Sequence, residues 1–160
     1  MPLKISYNDL IELAKNGEFD VIAHGCNCFC VQGKGIAWKI RQTYPEAYEA
    51  DLKTVKGDRN KLGTYSMAVV GDLTILNLYT QYRYGSKERP DIDYFALEAC
   101  MQKIKQDFSG KKIGMPMIGA GLANGDWTII KQIIAEQLDD EDVTVVVFND
   151  KHENYPTSEA

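Results

Sequence analysis

The chain has 160 residues, 44% hydrophobic and 26% charged, a size and mixture that suit one compact globular domain burying roughly two-thirds of its unfolded surface. A formal charge of −5 and a pI near 5.0 argue against a surface given over to nucleic-acid backbone, so any phosphate has to be held by a local site. No run of about 18 apolar residues offers a membrane span, and the start Met1-Pro2-Leu3-Lys4 has no basic region leading into an apolar core, which places the chain in the cytosol.

In chain order, Lys4–Tyr7 reads as a short strand, and Asn8 or Asp9 can cap a helix carrying Leu10, Ile11, Leu13 and Ala14 until Asn16-Gly17 stops it. Phe19–Ala23 is an apolar run suited to a buried strand. It ends in His24-Gly25-Cys26-Asn27-Cys28-Phe29-Cys30-Val31-Gln32-Gly33-Lys34-Gly35, and helical spacing resumes with Ile36, Ala37 and Ile40 until Tyr44-Pro45 breaks it and a further helical turn or two follows. Thr64–Val70 and Leu73–Tyr79 flank Gly71-Asp72 as an antiparallel hairpin. Thr80–Pro90 is a polar, aromatic loop longer than most connections, and such loops are often functional. From Asp91, the positions Ile92, Phe95, Ala96, Ala99, Cys100, Ile104 and Phe108 mark one helix face. Ile113–Ile118 is a strand running into a second glycine loop, Gly119–Gly125, after which Asp126 can cap a helix with Ile130, Ile133, Ile134 and Leu138 on its buried side. Val143–Phe148 reads as a strand covered on both faces, and residues 151–160 form a polar tail to a single domain over 1–150.

The sum is an α/β fold of three layers, with helices on both faces of a mixed, mostly parallel sheet. Ligands in such folds bind where loops leave the carboxyl ends of strands, and both glycine loops leave there, which predicts one shared cleft. Gly33 and Gly35 let the backbone approach an anion at the start of the following helix. Neither loop has the nucleotide-triphosphatase spacing, and the second is one residue off the dinucleotide fingerprint. The alternating Cys26, Cys28 and Cys30 have no second pair for a zinc site and are too far apart along a strand for a comfortable disulfide, so they read as reduced structural thiols. Two histidines and scattered acids form no recognisable metal-ligand set, and no cofactor is implied.

These residues resemble the macro-domain family, the module that binds ADP-ribose. The resemblance runs from Ile5 to Phe148 and is carried by His24-Gly25-Cys26-Asn27, by Gln32-Gly33-Lys34-Gly35-Ile36-Ala37, and by Pro116-Met117-Ile118-Gly119-Ala120-Gly121-Leu122. His-x-Cys-Asn-Cys with Tyr44-Pro45-Glu46-Ala47 is most similar to the branch containing the yeast ADP-ribose 1''-phosphate phosphatase. A sister branch contains ADP-ribose–protein glycohydrolases. The resemblance implies that Asp9 accepts from the adenine amino group and Phe148 packs on the adenine ring. It places Gly33, Gly35 and Ile36 on one side of the diphosphate, with Ile118, Gly119, Ala120, Gly121 and Leu122 on the other. Asn27 would bond the distal ribose beside the scissile bond, and Lys34 would neighbour phosphate.

At the distal ribose His24 is the candidate proton shuttle, since it is placed at a strand end facing the cleft. Gln81, Tyr82 and Arg83 lie around the leaving group, Arg83 as a bidentate phosphate partner. The glycohydrolase branch has a lysine where this chain has Gln81 and an aspartate where it has Ala123, leaving Asp126 as a substitute acid or base that otherwise reads as a helix cap. The resemblance therefore implies a monomeric ADP-ribose 1''-phosphate phosphatase with a small-molecule ligand and neither membrane nor nucleic-acid partner. An ADP-ribosyl hydrolase and a non-catalytic ADP-ribose binder are the alternatives.

Overall fold

The structure, a computed structural model, describes residues 3–148. Twelve elements follow one another as β1 (Lys4–Asn8), α1 (Leu10–Lys15), β2 (Val21–Cys26), α2 (Gly35–Thr43), α3 (Pro45–Leu52), a 3-10 turn (Arg59–Lys61), β3 (Tyr65–Val70), β4 (Leu73–Tyr79), α4 (Tyr94–Phe108), β5 (Lys112–Met115), α5 (Trp127–Gln137) and β6 (Asp142–Phe148). The six strands form one sheet in the order β1-β6-β5-β2-β4-β3, in which only the edge pair β3–β4 is antiparallel. One face packs under α4 and α5 through Leu78, Leu97, Met101, Ile104, Ile130 and Ile134, the other under α1, α2 and α3 through Ile11, Ile22, Ile40, Ala47 and Ile75. Helices on both faces make the expected three-layer α/β architecture. No described helix is long and apolar enough to cross a membrane.

The predicted caps form as read. Asp9 accepts from the amides of Ile11 (2.9 Å) and Glu12 (3.3 Å), Pro45 opens α3, and Asp126 accepts from Thr128 N at 2.9 Å to begin α5. The central strand departs from the sequence reading. β2 runs three residues beyond Ala23, with His24 registered against Asn77 and Cys26 against Tyr79, and all six of its residues are buried.

That extension seats a polar network in the interior between the sheet and α3. His24 Nε2 lies 2.8 Å from Asn77 Oδ1, and Asn77 Nδ2 donates to Ala47 O (2.9 Å) and Ser66 Oγ (3.0 Å). Because the Asn77 amide nitrogen is committed as a donor, its oxygen is the acceptor and His24 Nε2 carries the proton. Tyr79, registered two residues along β4, donates to Asp51 Oδ1 at 2.6 Å, and Gln32 Nε2 donates to Asp51 Oδ2 at 2.9 Å. Asp51 is fully buried and comes from the last turn of α3, so one carboxylate ties α3, β4 and the β2–α2 loop together. Buried Lys61 donates to Cys28 O at 3.1 Å and lies over the Tyr79 ring, holding the same loop from beneath.

Removing the Asp51 carboxylate leaves Gln32 Nε2 without an oxygen partner and Tyr79 Oη with Ser66 Oγ alone. Asp51→Ala is expected to cost about 3 kcal/mol of unfolding free energy in denaturant titration, as the loss of one partner of a buried polar pair does. Burial, opposed by the Asn77 bond and the Asp51 charge, holds His24 below its ordinary value of 6.5. A base whose pKa is lowered on folding takes up its proton first in the unfolded chain, so stability falls as pH drops below about 6.5. The slope over that window approaches about 1.4 kcal/mol per pH unit, and thermal unfolding of His24→Gln from pH 7.5 down to 5.5 is expected to show a visibly flatter dependence.

Candidate functional site

The cleft is assembled from three loops at the carboxyl ends of β2, β4 and β5. In the first, Asn27 folds the chain back on itself: its Oδ1 accepts from Phe29 N (2.9 Å) and Val31 N (3.3 Å), and its Nδ2 donates to Val31 O (2.8 Å). One Nδ2 hydrogen is left over by that arrangement. Cys30 takes a left-handed φ of 59°, unusual for a residue with a side chain, and turns Gln32 inward to Asp51. Gly33 and Lys34 emerge at the surface, and α2 starts at Gly35 with φ 62° and no side-chain cap, so its first amides have no partner within the helix.

The second loop turns at Gly119, whose φ is 76° and whose pro-Cβ position lies 2.2 Å from Ile92 Cδ1, so only glycine fits. The third, Thr80–Pro90, is fastened to the second across the cleft. Asp91 Oδ2 accepts from Ser86 N (3.0 Å), Asp91 N donates to Ala123 O (2.8 Å), and Asn124 Nδ2 donates to Ser86 O (2.9 Å). Asp91 is buried and its Oδ1 has no hydrogen-bond partner. Gln81, also buried, donates from Nε2 to Arg83 O at 2.9 Å and leaves Oε1 without a partner.

The loops enclose a cavity of about 720 Å³ lined by Asn27, Val31, Gly33, Lys34, Gln81, Tyr84, Gly85, Ser86, Lys87, Gly121, Leu122 and Asn124. That is ample for a dinucleotide-sized ligand. Of the residues singled out from sequence, the structure brings Asn27, Gly33, Lys34, Gln81, Gly121 and Leu122 together in this wall. Gly35 and Ile36 follow directly as the first turn of α2, Gly119 and Ala120 form the turn beneath Gly121, and Ile118 is a buried core residue. Asp9 and Phe148 come side by side, since Asn8 is registered with Phe148 at the carboxyl ends of β1 and β6, but neither lines this cavity.

Three residues named for the site stand outside this wall. His24 is mid-strand rather than at a strand end, fully buried, with its ring on Asn77 and beside Cys26, and does not reach the cavity. Asp126 is spent on the α5 cap, its own amide bonded to Tyr94 Oη at 3.0 Å, and does not line the cavity. Arg83 is exposed and contributes its carbonyl to Gln81, while the cations in the wall are Lys34 and Lys87. The cysteines are free and buried, and burial pushes the Cys26 thiol well up and that of Cys28 to about 11, so neither is an ionised nucleophile at neutral pH. Sequence reasoning passed over Asp91, Asn124 and Lys87. An aspartate before a helix reads as a cap, and here Asp93 does that work while Asp91 clasps two loops.

Loss of the clasp should loosen the cleft without touching the core. Asp91→Ala is expected to weaken ligand binding about tenfold and to speed amide hydrogen exchange across residues 84–87, with the exchange of α4 unchanged.

Comparison with known proteins agrees with this geometry. A sequence profile described as Macro domain matches residues 23–134, which include all three loops. An uncharacterized 17.5 kDa protein from the tk-vs intergenic region of Enterobacteria phage T4 is 38% identical over 143 residues, covering 84% of this chain and 88% of that protein. A DNA ADP-ribosyl glycohydrolase of Thermus aquaticus is 26% identical over 124 residues, 75% of this chain and 34% of the enzyme, so the chain spans about a third of that relative. A protein of unknown function from Bacteroides thetaiotaomicron superposes with a TM-score of 0.71 at 27% identity, covering 91% of this chain and 98% of that one. With the profile spanning the cleft and the same architecture beneath it, the chain belongs to the Macro domain family.

Proposed function

We propose that the protein binds ADP-ribose in the cleft and hydrolyses the bond joining its distal ribose to an attached group, releasing free ADP-ribose. The observation that carries this reading is the wall itself: two backbone-rich loops facing each other across about 720 Å³, with Asn27 on one side and Gly121–Leu122 on the other. The open amides at the start of α2 suit a diphosphate. Asn27, with one N–H to spare and its orientation fixed by three loop bonds, would bond a distal-ribose hydroxyl. Gln81 stands where glycohydrolase relatives are expected to have a lysine. An amide cannot form an imine with the opened sugar, so water is the nucleophile. No step passes through His24, whose neutral ring is enclosed in the interior.

A phosphatase acting on ADP-ribose 1''-phosphate is the second reading, favoured by Lys34 and Lys87 in a wall that holds no carboxylate. Both readings use the same pocket and part at the leaving group.

Incubation with ADP-ribosylated protein, ADP-ribosylated oligonucleotide and ADP-ribose 1''-phosphate, following free ADP-ribose and phosphate, tests them together. The expected result is ADP-ribose release from an adduct, lowered about a hundredfold in kcat by Asn27→Ala and left near wild type by His24→Gln, since positioning of the reacting sugar is lost only in the first. Phosphate release alone would establish the phosphatase. ADP-ribose binding with no turnover of any substrate would make the protein a reader.

A further inference from the structure

The sheet ends at β3, which pairs with β4 on one side and among the described residues with no strand on the other. Its residues, Tyr65-Ser66-Met67-Ala68-Val69-Val70, include no charge and no proline, so it lacks the features by which edge strands commonly deter a further partner. The ladder decides which backbone groups are free. Tyr79 N donates to Thr64 O at 2.9 Å, and antiparallel pairing alternates, so Ser66, Ala68 and Val70 turn their N–H and C=O groups to β4 while Tyr65, Met67 and Val69 turn theirs outward. Among the described residues no loop backbone takes up those outward groups.

The two faces of the strand differ. Ser66, Ala68 and Val70 lie on the α3 side, where Asn77 Nδ2 donates to both Ser66 Oγ and Ala47 O. Met67 and Val69 lie on the opposite side with Tyr65, whose ring meets Phe108 at the end of α4 (6.1 Å), and they are 44% and 61% exposed. A second strip comes from α3. Glu46, Ala50 and Lys53 stand at i, i+4 and i+7, one row along the helix. That row is on the flank opposite Tyr48, whose Oη bonds Cys30 O and whose ring carries Arg41 of α2. Because α2 packs over β2 and α3 over β4 and β3, a flank turned from α2 is turned toward the free edge. Glu46 and Lys53 are both exposed there.

We propose that β3 pairs antiparallel with β3 of a second copy of this chain, about a two-fold axis through Ala68, so that two sheets become one. That register sets Met67 opposite Val69 of the partner subunit, where the outward backbone groups of both exchange hydrogen bonds, and gathers the exposed side chains into one apolar cluster. On the other face Ala68 meets its own counterpart beneath the helices. With α3 seated over β4 and β3, strand spacing brings the two copies of α3 to about 10 Å, a helix-packing distance, and the two-fold makes them antiparallel. Ala50 is small enough for that approach, and Glu46 comes to Lys53 of the partner subunit at both ends. A row carrying opposite charges at its two ends is complementary to its own reversed copy, which selects a second copy over an unrelated strand. This departs from the monomer that the family resemblance implied. None of these residues lines the cleft, so the pairing takes nothing from it.

Sedimentation velocity from about 1 to about 200 μM protein reads the assembly, and thermal unfolding checks that each variant is folded. The wild-type chain is expected to pass from monomer to dimer over that range and to go no further, since a two-fold pairing uses the edge of both copies. Met67→Lys with Val69→Lys, both at exposed positions, is expected to weaken the dimer at least about a hundredfold, because lysines on an edge strand repel their own copies. Glu46→Lys is expected to weaken it about tenfold, and adding Lys53→Glu to bring it back within about threefold of wild type, since the reversed pair restores the match. A monomer at every concentration would overturn the proposal and leave the edge to a strand of another protein. Assembly beyond a dimer, a dimer indifferent to the paired lysines, or a Glu46→Lys loss that Lys53→Glu does not recover would overturn it as well.

Discussion

A carboxylate taken wholly out of water has to receive its hydrogen bonds from the fold, and Asp51 receives them from Tyr79 and Gln32. Much of the site depends on that requirement. Gln32 can reach Asp51 only if the loop after β2 doubles back, which Asn27 and the left-handed Cys30 accomplish, and the doubling back delivers Gly33 and Lys34 to the cleft mouth. Lys61 and the His24–Asn77 pair complete the interior floor under the same loop. Polar groups in a core lose little when fully paired and much when half-paired, so this network fixes one loop conformation.

The residues that face the cleft are, by contrast, chemically quiet. Glycines, three primary amides and two lysines line a wall in which no acid and no histidine stands. In the proposed reading, such a wall would recognise a diphosphate sugar through backbone donors and orient one bond toward water. It places the demand on positioning rather than on a strongly basic or nucleophilic side chain. The Asp91–Ser86–Asn124 fastening serves the same end, since it holds the Thr80–Pro90 loop to the second glycine loop, with Ser86 and Asn124 in the cavity lining and Asp91 behind it. Net charge likewise conceals local arrangement: in a chain that is acidic overall, the cleft and a smaller cavity behind its first loop are lined by lysine and arginine and, among the described residues, by no carboxylate.

The amino-acid sequence by itself determined the order and type of the elements, because each is decided over a short span. Apolar runs give the strands, the Asp9 and Asp126 caps and Pro45 mark helix starts, and Gly71-Asp72 closes the hairpin. The glycine loops at strand ends located the cleft, and Asn27, Gly33, Lys34, Gln81, Gly121 and Leu122 do line it. What only the tertiary structure decided is where polar side chains of equal chemical promise point. His24 looked like a strand-end residue because Gly25 and Cys26 break an apolar run. Pairing with β4 carries β2 through them to Tyr79, and a histidine in the middle of a strand covered on both faces belongs to the interior. Asp51 and Lys61 likewise gain their side-chain partners from residues distant in the chain, on β4 and in the loop after β2, and the Asp91 amide meets Ala123 O in the second glycine loop. Local patterns record backbone preference and burial, whereas the direction of a side chain and the identity of its partner depend on strand register, which only long-range pairing sets.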